Sequence, residues 1–208
     1  MFYPIGLPLR SDNPLLFTTE TDPTEETLEK AALRAKELDC PLILASTTGA
    51  SAKKALTLAE AENIHLIVIT HHEGALPKGG GFSKGILDQL KVSGHSVLPN
   101  QPALPLPVQF LRRCSRFVRW NIFNRREAVL EEAIGTGGRV CFAITKLAFN
   151  HGRLKAGDVV VAVGGQEAGL NTALVLQVRG QRFCVISLLE TITMPSALSK
   201  QKAYSEDN

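Results

Sequence analysis

Two runs of uninterrupted apolar residues constrain this chain most: PLILAS at 41–46 and IHLIVIT at 64–70. Both have strand length, and the second is rich in β-branched residues. A strand that is apolar on both faces is buried on both faces, the pattern of a parallel sheet covered by helices. Between them Ala52, Ala55, Leu56 and Ala59 share one face of a predicted helix at 50–62. Strand, helix, strand is a βαβ unit, with parallel strands and a right-handed crossover.

The rest of the chain follows the same periodicities. Leu28, Ala31, Ala32, Ala35 and Leu38 predict an amphipathic helix at 24–38. Asp22 and Thr24 offer N-cap oxygens, Pro23 suits a first turn, and Glu25 and Glu26 favour a helix N-terminus. HHEGALPKGGGFSKG at 71–85 is a loop by composition. A helix at about 83–93 and a short strand at 95–99 follow it. The proline-rich stretch after residue 99 is irregular or opens a helix, and Phe110, Leu111, Cys114, Phe117 and Val118 form a helical stripe. A helix at 125–134 is expected to end at GTGG. RVCFAITKLAFNHG at 139–152 fits a buried helix with Gly152 as its C-terminal cap. Strands are predicted at 157–165 and 170–178, with an edge strand at 183–190. This divides the chain into an extended arm at 1–21, a single α/β domain at 22–195 and a polar tail at 196–208.

Composition bounds the function classes. The chain has 208 residues, with 44% hydrophobic and 21% charged, so it can bury a core without disulfides. A net charge of +3 is too mild to argue for a nucleic-acid partner. Cys40, Cys114, Cys141 and Cys184 form no CxxC pair, which argues against a zinc or redox motif. MFYPIGLPLR lacks the charged and apolar segments of a signal peptide, and no apolar run reaches spanning length. The expectation is a cytoplasmic protein with no membrane partner and no metal.

The richest chemistry lies in ASTTGAS, at the corner between the first predicted strand and its helix. In a parallel sheet, ligands bind beyond the carboxyl ends of the strands. A helix N-terminus there presents unpaired N–H groups and partial positive charge. The hydroxyls of Ser46, Thr47, Thr48 and Ser51 add donors, while Gly49 and Ala50 leave room for an anion. The corner either holds a phosphate or caps the helix with its own hydroxyls. It lacks the spacing of a Walker loop.

Three other features compete for a role. Gly164, Gly165 and Gly169 open the backbone after a predicted strand, either beside a ligand or as a hairpin turn. Thr70 ends the second strand, and His71-His72-Glu73 follows it. Neighbouring residues on an extended chain point opposite ways, so only one of the two histidines could face a site, which argues against a two-histidine metal grip; His72 could donate to a ligand or act as acid or base. Otherwise it is a polar loop residue. The basic run from Arg112 to Arg126, with Phe117, Trp120 and Phe123 interleaved, could meet phosphates but reads rather as a solvated face or an interface. Neither G-x-S-x-G nor H-E-x-x-H occurs.

PTEETLEKAALRAKELDCPLILASTTGASAKKAL and KLAFNHGRLKAGDVVVAVGGQEAGLNTALVLQV together resemble stand-alone relatives of the carboxyl-terminal α/β domain of pyruvate kinase. The likeness is densest at 22–72 and 139–195, with VIT-x-H and a late MP in the same order. It implies a three-layer α/β/α sandwich around a five-stranded, mostly parallel sheet with an antiparallel edge strand. It also implies a phosphorylated ligand, flavin mononucleotide (FMN) in the stand-alone relatives, and a possible homo-oligomer. By position, Thr47, Thr48, Gly49, Ala50 and Ser51 would hold the phosphate. Thr70, His72, Gly164 and Gly165 would line the rest. Nothing matches the catalytic barrel of pyruvate kinase, so kinase activity is not expected. The alternatives are a flavin-dependent oxidoreductase and a regulatory or scaffolding protein.

Overall fold

The computed structural model describes residues 23–70, 81–100, 134–166, 169–180 and 185–195, together with the backbone of 15–17. The elements are β1 (Leu15–Phe17), α1 (Thr24–Glu37), β2 (Leu42–Ala45), α2 (Ala50–Glu62), β3 (Leu66–Thr70), α3 (Lys84–Val92) and β4 (Ser96–Pro99). A further helix, α4, covers 134–150. It is followed by β5 (Val159–Gln166), β6 (Gly169–Val178) and β7 (Ile186–Pro195).

The protein is α/β, and its sheet has the order β1-β7-β6-β5-β2-β3-β4. β5, β2, β3 and β4 are mutually parallel, as the apolar runs require. β6 is antiparallel to both β5 and β7. Two expectations are corrected here. Among the described residues the sheet has seven strands rather than the five that the resemblance implies, and the antiparallel strand β6 is interior rather than at the edge. The cause is the extension of the sheet beyond β6: β7 is longer than the strand predicted at 183–190, and Leu15–Phe17 of the arm pairs in parallel with Thr193–Pro195.

Alternation along the parallel strands feeds two cores. On one face Leu42, Leu44, Leu66, Val68, Val161 and Val163 pack under α1, α2 and α3 through Leu28, Ala31, Ala55, Leu56 and Leu90. On the other face Ile43, Ile67, Val160, Ala162 and Leu174 pack under α4 through Cys141, Ile144 and Ala148. The small residues of α1 and α2 bring those helices close to the sheet. Thr24, expected as a cap, does something else: Pro23 holds the N-cap position without a side-chain bond, and Thr24 Oγ1 accepts the Leu170 N–H at 3.0 Å. The start of α1 is thereby pinned to the start of β6.

The helix expected at 125–134 lies, up to residue 133, outside the described residues; from 134 on the GTGG stretch is assigned to α4, with Gly135 at φ +69°. A Cβ on Gly137 would lie 2.2 Å from Thr172 Oγ1 on β6, so the glycine lets α4 settle onto the sheet. The C-terminal end of α4 is as predicted: Gly152, at φ +71°, follows the helix, and Arg153 N–H reaches back to the Ala148 carbonyl. The basic run at 112–126, the stripe at 110–118 and the tail at 196–208 lie outside the described residues.

Candidate functional site

The parallel strands reverse their direction of travel across the sheet between β2 and β5. From β2 the chain steps outward through β3 to β4, with α2 and α3 on one face. It then crosses the other face by way of α4 and enters β5 on the opposite side of β2. The carboxyl ends at such a reversal leave a crevice between diverging connections, the place where open α/β sheets bind ligands. The ASTTGAS corner follows β2 directly, and Gly164–Gly165 lie near the end of β5 beside it. Leu44 pairs with Val163, so Ser46 and Gly165 each lie two residues past that pair. Ser46 N–H donates to the Ile69 carbonyl at 3.0 Å, placing Thr70 next to the corner.

Within the corner the hydroxyls divide into two groups. Ser46 is buried, and its Oγ accepts the Gly49 N–H at 3.2 Å, closing the bend on itself. Thr47 and Ser51 are half-buried, and Thr48 and Ala50 are exposed. Thr48 Oγ1 stands 3.5 Å from the Ala50 N–H, at the limit of a hydrogen bond. The backbone ladder of α2 begins with Lys53 N–H on the Gly49 carbonyl at 2.8 Å, so the N–H groups of Ser51 and Ala52 precede it. Gly49 sits at φ +99°, a conformation that suits glycine. A Cβ there would lie 3.0 Å from Ile86 Cδ1 and 3.5 Å from Phe82 Cζ. The face of the bend toward α3 is therefore filled by Phe82 and Ile86, and the open face is that of Thr47, Thr48 and Ser51.

Sequence reasoning missed one part of this site. The Thr48 carbonyl accepts the Ser83 N–H at 3.1 Å, so the N-terminus of α3 abuts the corner. Ser83 is the N-cap residue of α3 and Lys84 its first residue, both exposed. Two helix N-termini thus lie together, each carrying partial positive charge. Ser-Lys at a helix start was the available signal, but nothing local says which corner it meets.

The glycines of β5 have packing roles. A Cβ on Gly164 would meet the Gly137 carbonyl oxygen at 2.5 Å, Val140 Cβ at 3.0 Å and Cys141 Sγ at 3.1 Å, all on α4. On Gly165 it would meet the Gly169 carbonyl oxygen at 1.9 Å, across a register shift in the β5–β6 hairpin. β5 and β6 are antiparallel neighbours, as the hairpin alternative expects. Thr70, half-buried, accepts the Asn100 N–H on its carbonyl at 2.8 Å. His72 lies outside the described residues.

No nucleophilic thiol serves the site among the described residues. Burial pushes the Cys40 thiol up to about 12 and raises that of Cys141 as well. Among the described residues no group of three His, Cys, Asp or Glu side chains is placed to hold a metal ion, and no helix is long and apolar enough to cross a membrane. Two surface depressions lie away from the corner: one of about 530 Å³ between α2 and α3, the other of about 420 Å³ beside His65 and His95. No protein-family model matches the chain.

Proposed function

We propose that this protein binds a phosphorylated small molecule at the carboxyl edge of its parallel strands, and that the ligand is FMN. The observation that carries the reading is the coincidence of the ASTTGAS corner with the reversal point between β2 and β5. A dianionic phosphate there would take the N–H groups of Ser51 and Ala52 and the hydroxyls of Thr47, Thr48 and Ser51. Ser83 and Lys84 add a second helix start and a cation. Ser46 shapes the bend through Gly49 rather than facing outward. The choice of flavin follows from the resemblance to stand-alone relatives of the pyruvate kinase carboxyl-terminal domain. That resemblance is supported by five contiguous strands, β4-β3-β2-β5-β6, of which four are parallel and the fifth antiparallel, with helices on both faces. β7 and β1 are additions to that arrangement.

Thermal unfolding of the full chain with FMN, riboflavin and inorganic phosphate tests the reading. A ligand selective for the native state stabilises it by about 2.7 kcal/mol at a hundredfold excess over its Kd. FMN is expected to raise the melting temperature, riboflavin to do so much less, and phosphate alone to give a small shift. No shift with FMN at millimolar concentration rejects the flavin; no shift with any phosphorylated compound rejects the site.

A further inference from the structure

The opposite, amino-terminal edge of the sheet holds a second group of polar residues, whose arrangement does not depend on ligand binding at the corner. His95 links α3 to β4. Its backbone is held by the C-terminal cap of α3: Gly94 sits at φ +76° with its N–H on the Lys91 carbonyl, and His95 N–H reaches the Leu90 carbonyl at 2.9 Å. Its side chain turns to the neighbouring strand, where Nδ1 accepts the N–H of Leu66, the first residue of β3, at 3.2 Å. An imidazole nitrogen accepts only when it carries no proton, so this bond requires neutral His95 with its hydrogen on Nε2. Nε2 is buried and has no hydrogen-bond partner.

Everything packed around this ring bears on its charge. The His65 ring lies 5.9 Å away by centroid, and its Nε2 is 3.2 Å from Ser96 Oγ at the start of β4. Arg153, after α4, acts on His65 and disfavours its protonation. Glu60 of α2, which accepts a hydrogen bond from Ser93 Oγ at 2.6 Å, favours a cation on His95. Burial and His65 oppose it, and the balance lowers the affinity of His95 for a proton. β4 is the outermost strand on this side of the sheet.

We propose that His95 is an acid-sensitive latch that ties the C-terminal cap of α3 to the first residue of β3. Protonating Nδ1 turns the acceptor into a donor facing the Leu66 N–H. That bond is lost, and the new cation lies beside His65, with Glu60 to balance it among the described residues. The amino-terminal end of the β3–β4 pair then opens while the centre of the sheet stays closed. This gives the fold a local response to mild acid, at the edge away from the corner after β2.

Amide hydrogen exchange on the full chain, with each rate divided by its intrinsic value at that pH, tests the latch. Between about pH 7.5 and about pH 5, the range in which histidine changes charge, protection of Leu66 is expected to fall about tenfold while Val68 is unaffected. In His95→Asn the side-chain oxygen stands near the Nδ1 position, so Leu66 keeps its acceptor and the fall disappears. Equal protection of Leu66 at both pH values, or the same fall in His95→Asn, overturns the proposal. A measurement on the unaltered chain guards against a variant that fails to fold. Imidazole nitrogen shifts at about pH 7.5 must show His95 with its proton on Nε2, and a proton on Nδ1 overturns the latch.

Discussion

Arg34 of α1 grips Glu190 of β7 through two nitrogens, Nη2 at 2.7 Å and Nε at 3.1 Å from the same carboxylate oxygen. The two side chains retain 8% and 13% of their exposure, and Glu37 adds a third charge at 2.8 Å from Nη1. The group joins the first helix to a strand 156 residues later, β7, beyond the antiparallel strand β6. Breaking a buried pair costs more than the pair itself contributes, because the remaining charge is stranded.

Arg34→Met is therefore expected to destabilise the fold by about 3 kcal/mol, read from the denaturant midpoint at constant slope. Arg34→Met with Glu190→Leu is expected to recover much of that loss, since the buried carboxylate is then gone and Glu37, 38% exposed, loses this cation within reach of water. A double variant as unstable as the single one would show that the packing of the arginine stem matters more than its charge.

Gly164→Ala probes the contact of α4 with the sheet. The added methyl would stand 2.5 Å from the Gly137 carbonyl oxygen, a backbone atom that cannot rotate away. Overpacking of this kind costs about 1–3 kcal/mol, measurable in the same unfolding experiment. Gly85→Ala is the control: a Cβ there meets nothing within 4 Å, and alanine favours a helix.

That contact also explains where the sequence is legible and where it is not. The limits of α2, Ala50–Glu62, can be read from its alanine face, because the helix period is written in adjacent turns. The runs at 41–46 and 64–70 announce buried parallel strands for the same reason. The packing role of Gly137 and Gly164 is not legible, because each glycine permits close approach between segments far apart in sequence. Thr24 reads as a cap, yet its hydroxyl serves Leu170, 146 residues away. The pairing of Leu15–Phe17 beyond β7 is hidden, because nothing in so short a segment marks which strand it meets. The corner itself is legible, but the arrival of Ser83 at Thr48 is not.

Thr48→Ala with Ser51→Ala tests the corner directly. Thr48 is exposed and Ser51 half-buried, so the fold is expected to lose little. Loss of two hydroxyl donors to a phosphate is expected to weaken FMN binding about tenfold or more, read by quenching of flavin fluorescence. An unaltered Kd would remove these hydroxyls from the site. Ser46→Ala should behave differently, lowering stability through the Gly49 N–H that it leaves unpaired.

Global stability should also report the histidines at the amino-terminal edge. Folding lowers the pKa of His95 from its ordinary 6.5, chiefly by burial and then by His65, and lowers that of His65 by burial and Arg153. Below about pH 6.5 the unfolded chain therefore binds more protons than the native one at these two sites, and stability rises with pH wherever that holds. Their contribution is complete above that value and is lost as the pH falls below it toward the native pKa values. The melting temperature is expected to drop between pH 7 and pH 5, with a shallower drop in His95→Asn. Carboxylates paired in the native state weaken at lower pH in both proteins, so the informative quantity is the difference between the two curves above pH 5, where the histidines titrate. Parallel curves would mean that His95 carries the same charge in the native and unfolded chain.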